Sequence, residues 1–112
     1  MDPECIRICN LINRIDGLET ILSCCGHGKS DFNIWLIADM YSGNLEDTPG
    51  WRGLQVLARA LYCNPYGWNL VIDCSYHNTP RLVVRGPVGF AGLDKVCDDI
   101  EESIGHWYDT TP

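Results

Sequence analysis

The sequence predicts an α+β fold in the order αββαββα, two helix–strand–strand units and a closing helix. Three observations predict it. Apolar residues recur at helical spacing in three stretches, and two pairs of short strand-like segments lie between them. A capping residue followed by proline opens two of the helices. The chain also resembles itself at an offset of 50 residues, which carries Gly17 onto Gly67, Cys24 onto Cys74 and His27 onto His77. Leu18, Ile21 and Leu22 then fall on Trp68, Val71 and Ile72, all apolar. One helix and two strands cannot cover their own sheet, so two such units sharing a four-stranded, mixed or antiparallel sheet complete the layers. The units are expected at 3–38 and 53–88, with the closing helix at 92–108 and a single domain over 1–112.

Asp2 and Pro3 read as N-cap and first helical position. Cys5, Ile8, Leu11, Ile12 and Ile15 follow at three- and four-residue steps, and Gly17 ends the helix as a left-handed C-terminal residue would. Leu18 to Cys24 reads as a strand, Cys25 to Ser30 as a glycine-rich turn, and Phe32 to Ala38 as a strand apolar enough for burial on both faces. Tyr41 to Gly50 is a polar loop in which Thr48-Pro49 starts the second helix. That helix runs to about Tyr62 with Leu54, Leu57, Ala58 and Leu61 on one face. Val56 and Ala60 lie off that stripe and suggest a subunit contact, hence a homo-oligomer. Asn64-Pro65-Tyr66-Gly67 breaks the chain. Trp68 to Cys74 and Arg81 to Arg85 are the next strands, joined by a turn at His77 to Pro80. The last helix carries Leu93, Val96, Cys97, Ile100, Ile104 and Trp107 as its apolar stripe. Asp94, Asp98, Asp99, Glu101 and Glu102 form its solvated face.

With 112 residues, 46% hydrophobic and 21% charged, the chain is ordinary globular material. A domain this size buries more than about 60% of its unfolded surface and folds without covalent staples. Fifteen acids against eight bases give a formal charge of −7. Such a field repels a phosphate backbone, which argues against long nucleic acids, although a few local arginines still suffice for a small anion. The seven cysteines are odd in number, the N-terminus shows no basic region followed by an apolar run, and no stretch reaches 18 apolar residues. The expectation is reduced thiols, a cytoplasmic location and no membrane partner.

The segment Ser23-Cys24-Cys25-Gly26-His27-Gly28 admits three chemistries. As a ligand loop, the turn Cys25, Gly26, His27, Gly28 and Lys29 brings backbone amides to a phosphate. Arg81 and Arg85 would add charge-assisted bonds, and Trp35 or Trp51 would stack on a base. Arg52, Arg59, Tyr66 and Trp68 are further candidates of the same types. As a zinc site, two Cys-x-x-His pairs, Cys24 with His27 and Cys74 with His77, supply a tetrahedral thiolate–imidazole set. As a hydrolase, Cys24 or Cys25 would be the nucleophile with His27 as base.

The run Gly17 to His27, following an amphipathic helix and preceding an apolar strand, resembles small bacteriophage proteins carrying Ser-Cys-x-Gly-His. It is more distantly similar to the wybutosine-synthesis methyltransferase-like family, whose motif is Ser-Ser-Cys-Ser-Gly-Arg. His27 stands here in place of the arginine. The resemblance covers about the first 38 residues. The phage likeness implies an anti-defence protein in the host cytoplasm, of the oligomeric kind that sequesters nucleotide immune signals. The resulting expectation is a non-catalytic protein that holds a cyclic nucleotide or ADP-ribose derivative intact, without a cofactor. A zinc-stabilised interaction module and a cysteine hydrolase are the alternatives.

Overall fold

A computed structural model describes residues 2–40, 43–62, 64–73 and 81–108. Its regular elements are α1 (Pro3–Asn13), β1 (Leu18–Cys24), β2 (Phe32–Ala38), α2 (Pro49–Leu61), β3 (Asn69–Asp73), β4 (Arg81–Gly86) and α3 (Leu93–Tyr108). The fold is α+β, as expected, and the sheet is antiparallel throughout in the order β1-β2-β4-β3. The helices pack against it. No helix among the described residues is long and apolar enough to cross a membrane.

The central β2–β4 ladder maps onto itself under the 50-residue offset. Asn33–Arg85 becomes Val83–Trp35, and Ile34–Val84 is its own image. The outer hairpins break that symmetry. In β1–β2 the register shifts between Thr20 and Leu22, which leaves Ile21 as a bulge. In β3–β4 the register is unbroken, and Leu70 pairs with Val84 where the image of Thr20–Leu36 would be Leu70–Gly86. The slip is two before the bulge and three beyond it, so Thr20 and Leu70 share the core side, whereas Leu22 lies opposite outward Trp35 and Ile72 opposite core-side Leu82.

Phe32, Ile34, Leu36 and Val84 enter the core with Cys5, Ile8 and Ile12 of α1, Leu57 and Leu61 of α2, and Val96, Ile100 and Ile104 of α3. Burial along β2 alternates, with Trp35 half-buried and Ile37 exposed, so the expectation of burial on both faces is corrected. An antiparallel strand with helices over one side is apolar on that side and mixed on the other. On α2 the buried strip is Gly53, Val56, Leu57, Ala60 and Leu61, while Ala58 is exposed. The helix is therefore rotated from the expected stripe. Its strip with Val56 and Ala60 lies beneath α3, where Ser103 Oγ donates to the Val56 carbonyl at 2.9 Å.

Candidate binding cleft and thiol cluster

The turn after β1 is shaped by sulfur. Cys24 ends the strand and Cys25 follows in right-handed backbone, φ −81° and ψ −3°. Gly26 then turns left-handed at φ +72°, and a Cβ there would meet Ser30 Oγ at 2.8 Å and the Asp31 carbonyl oxygen at 2.9 Å. Only glycine satisfies both demands. His27 is also left-handed, at φ 51° and ψ 31°, a conformation that costs a non-glycine residue about 1–2 kcal/mol.

Four amides of this turn are already engaged. Gly26 N–H donates to Cys24 Sγ at 3.4 Å, and His27 N–H donates to Cys25 Sγ at 3.3 Å. Lys29 and Ser30 N–H both donate to the Gly26 carbonyl, at 2.9 and 3.2 Å.

Cys24 and Cys25 separate. Cys24 pairs with Asn33, which pairs with Arg85. Cys25, 2% exposed, instead faces the start of α1, where its thiol donates to Asp2 Oδ2 at 3.3 Å. Asp2 stands at the N-cap position but makes no side-chain cap bond, because its carboxylate is turned to the cysteine. The Cys25 thiol bond, and then the Cys25 backbone, hold the Asp2 carboxyl below the ordinary carboxylate value. The His27 N–H pulls the Cys25 thiol down, but burial and the Asp2 carboxylate outweigh it and leave the thiol above its ordinary value. His27 Nδ1 lies 4.0 Å from Cys25 Sγ. Asp2, Cys25 and His27 thus offer three donor atoms within 4.8 Å of one another. The thiols of Cys5, Cys9, Cys24, Cys25 and Cys97 are all free.

The other expected ligand residues do not gather at this turn. Arg85 donates to Asn33 Oδ1 and Asp73 Oδ2, each at 3.0 Å. Trp35 shares that outward face of the sheet, half-buried opposite Val83 and Leu22. Arg81 lies four residues along β4 from Arg85, roughly 13 Å at strand spacing. Trp51 begins α2, where Gly50 N–H donates to the Asp39 carbonyl at 2.7 Å beyond the far end of β2. Trp68 is core, edge-on to Phe32 at 5.0 Å with its Nε1–H donating to the Ala91 carbonyl. Cys74 and His77 lie outside the described residues, and Asp73, where β3 ends, is at the opposite end of the sheet from Cys24.

A second site lies between α2 and α3. A cavity of about 100 Å³ is lined by Arg52, Gln55, Val56, Arg59, Trp107 and Tyr108. Arg52, Gln55 and Arg59 recur at three- and four-residue steps, so one face of α2 presents all three. The Arg59 guanidinium carbon sits 4.7 Å from the Trp107 ring centroid. The Tyr108 hydroxyl is buried and has no hydrogen-bond partner among the described residues. Burial pushes its phenol up, Asp16 adds to this from outside the lining, and Arg52 pulls it back. A wider groove of about 460 Å³ adjoins the cavity, shares Arg59 and Trp107, and adds Tyr62, Ser103, His106 and the carboxylates Asp99 and Glu102.

Arg52 and Arg59 were legible as candidate bases, but Gln55, Trp107 and Tyr108 were not. The polar spacing 52, 55, 59 is a signal of a shared face. The approach of the end of α3 is tertiary and has no local signature. No protein-family model, curated protein or solved structure matches this chain.

Proposed function

We propose that the protein binds a small phosphate-bearing ligand of nucleotide type in the α2–α3 cleft and leaves it chemically unchanged. One observation carries this reading. In a chain of net charge −7, two guanidiniums two helical turns apart open on one cavity whose lining contains no carboxylate. The volume suits a single phosphoryl group, since whole drug-sized ligands fill about 300–1,000 Å³. A base would extend into the adjoining groove beside Trp107, His106 and Tyr62, where aromatic faces favour stacking. An acceptor oxygen would also satisfy the buried Tyr108 hydroxyl, which otherwise carries an uncompensated desolvation cost of about 1–3 kcal/mol. The cavity itself is lined by no cysteine, histidine, serine or carboxylate, so any nucleophile or base would have to come from Asp99, Glu102, Ser103 or His106 of the adjoining groove. Sequestration rather than turnover is the reading that agrees with the anti-defence role implied by the phage resemblance.

Calorimetry with inorganic phosphate, cyclic nucleotides and ADP-ribose derivatives tests it. Binding is expected with a phosphate-bearing member, and chromatography after heat denaturation should return that ligand intact. Arg52→Ala and Arg59→Ala should each weaken binding about tenfold or more, the weight of a charge-assisted hydrogen bond. No heat with any member would refute the reading. Full affinity in both arginine variants would remove the cleft from it.

A further inference from the structure

We infer that Asp2, Cys25 and His27 form a three-ligand site for a zinc-class transition-metal ion, pinning the start of α1 to the turn after β1. The site is independent of the α2–α3 cleft. It also differs from the Cys24–His27–Cys74–His77 set, because the sulfur brought to His27 and a carboxylate is that of Cys25.

Geometry comes first. Bond lengths of about 2.3 Å to sulfur and 2.0–2.1 Å to nitrogen and oxygen place tetrahedral ligand atoms roughly 3.3–3.6 Å apart. Cys25 Sγ is 3.3 Å from Asp2 Oδ2 and 4.0 Å from His27 Nδ1, and all three donors lie within 4.8 Å of one another, so movement of the Asp2 and His27 side chains by about an ångström encloses an ion. The donor set is one thiolate, one imidazole and one carboxylate, a mixture suited to zinc and cobalt and poorly suited to magnesium or calcium.

The surroundings hold these donors in place. The His27 amide donates to Cys25 Sγ, which fixes the sulfur and would stabilise a thiolate. The left-handed backbone of His27 brings its ring back over the cysteine two residues before it. Asp2 leaves its helix uncapped to face the same sulfur. Exposed His27 and partly exposed Asp2 leave an entry path, and buried Cys25 closes the other side. Three protein ligands leave a fourth position for water.

On binding, the Cys25 S–H bond breaks as the sulfur–metal bond forms. The proton passes to solvent, and Asp2 exchanges its S–H bond for the ion. No electron is transferred.

The test uses the full chain under reducing conditions with Co(II) as a spectroscopic probe and Zn(II) as competitor. A sulfur-to-cobalt charge-transfer band should appear, saturate at about one ion per chain, vanish on adding zinc, and be accompanied by release of about one proton. Zinc should also raise the melting temperature. Cys25→Ser should abolish the band. His27→Asn, whose side chain tolerates left-handed backbone, should weaken zinc binding at least tenfold while the protein stays folded. Cys24→Ser and Cys74→Ser should leave the band unchanged. Absence of a band, or a band lost in Cys24→Ser or Cys74→Ser but kept in Cys25→Ser, would overturn the assignment.

Discussion

Gly17 and Gly67 sit 50 residues apart and carry the same left-handed backbone, φ +86° and +88°. Their surroundings differ. A Cβ at Gly17 would lie 2.4 Å from the backbone of Pro49 and Gly50, whereas a Cβ at Gly67 would meet nothing within 4 Å. In the first unit the helix-to-strand turn is wedged under the start of α2, and Gly17 O accepts from Asp39 N–H at 2.8 Å. In the second unit the same backbone turn lies open. The two halves therefore share local geometry and a symmetric central ladder while differing in what their turns support.

Alanine at the two glycines measures that difference most directly. Gly17→Ala combines left-handed strain with a backbone clash that no rotamer relieves, and should lower stability by about 3 kcal/mol or more. Gly67→Ala carries the strain alone and should lose about 1–2 kcal/mol. Urea denaturation of both variants gives the comparison. Equal losses would mean that the turns are equivalent after all.

A second contrast is chemical. Cys5 and Cys9 lie on α1 and Cys97 on the facing α3, so among the described residues the buried thiols congregate around α1. Burial pushes Cys5 and Cys97 each up to about 11, with the hydrogen bond to Ser23 pulling Cys5 partly back and Arg7 doing the same for Cys97. The folded values lie above the unfolded thiol value of 9.0. Their contribution is therefore complete below pH 9.0 and is lost as pH rises through about 11. Each thiol is expected to forfeit about 2 kcal/mol over that window. Urea midpoints should fall across it in the parent and fall less in a Cys5→Ala/Cys97→Ala double variant. A parent midpoint that is flat over the window would show that these thiols are not held neutral by the fold.

Much of this architecture was legible because its signals are local. Thr48-Pro49 marks a cap and first turn, and the Thr48 hydroxyl does accept from the Trp51 N–H at 3.2 Å. β1 and β2 fall on the expected residues, 18–24 and 32–38, because Gly17 and the turn at 25–30 bound them. The same rule placed Asp2 correctly at the N-cap but not its carboxylate, which serves Cys25, 23 residues away. No spacing within the helix announces that partner. The rotation of α2 was hidden for a similar reason. Leu54 and Ala58 are as apolar as Val56 and Ala60, and only the position of α3 decides which pair is covered. The cleft itself needs two elements 50 residues apart, so sequence supplied its arginines but not its walls.

A third contrast is how each half ties its helix to its strand, since both use an asparagine. Asn64 Oδ1 accepts from the N–H groups of Tyr66 and Trp68 at 3.1 and 3.0 Å, and its Nδ2 donates to the carbonyls of Leu61 and Trp68. This network is partly buried and leads directly into the Trp68 core anchor, so water cannot fully replace it. Asn13 makes a shorter clasp on one residue. Its Oδ1 accepts from Thr20 N–H at 2.8 Å and its Nδ2 donates to Thr20 Oγ1 at 2.9 Å, both exposed. Truncating Asn64 to alanine leaves several backbone groups unpaired in a shielded place and should cost about 2–3 kcal/mol. Truncating Asn13 leaves groups that water reaches and should cost about 0.5–1 kcal/mol. Asn64→Asp keeps the two accepted bonds and loses the two donated ones, so it should fall between Asn64→Ala and the parent. If Asn13→Ala proved the costlier truncation, the bulged first hairpin would be the less robust half, and the longer connection before β3 would hold its strand by apolar packing alone.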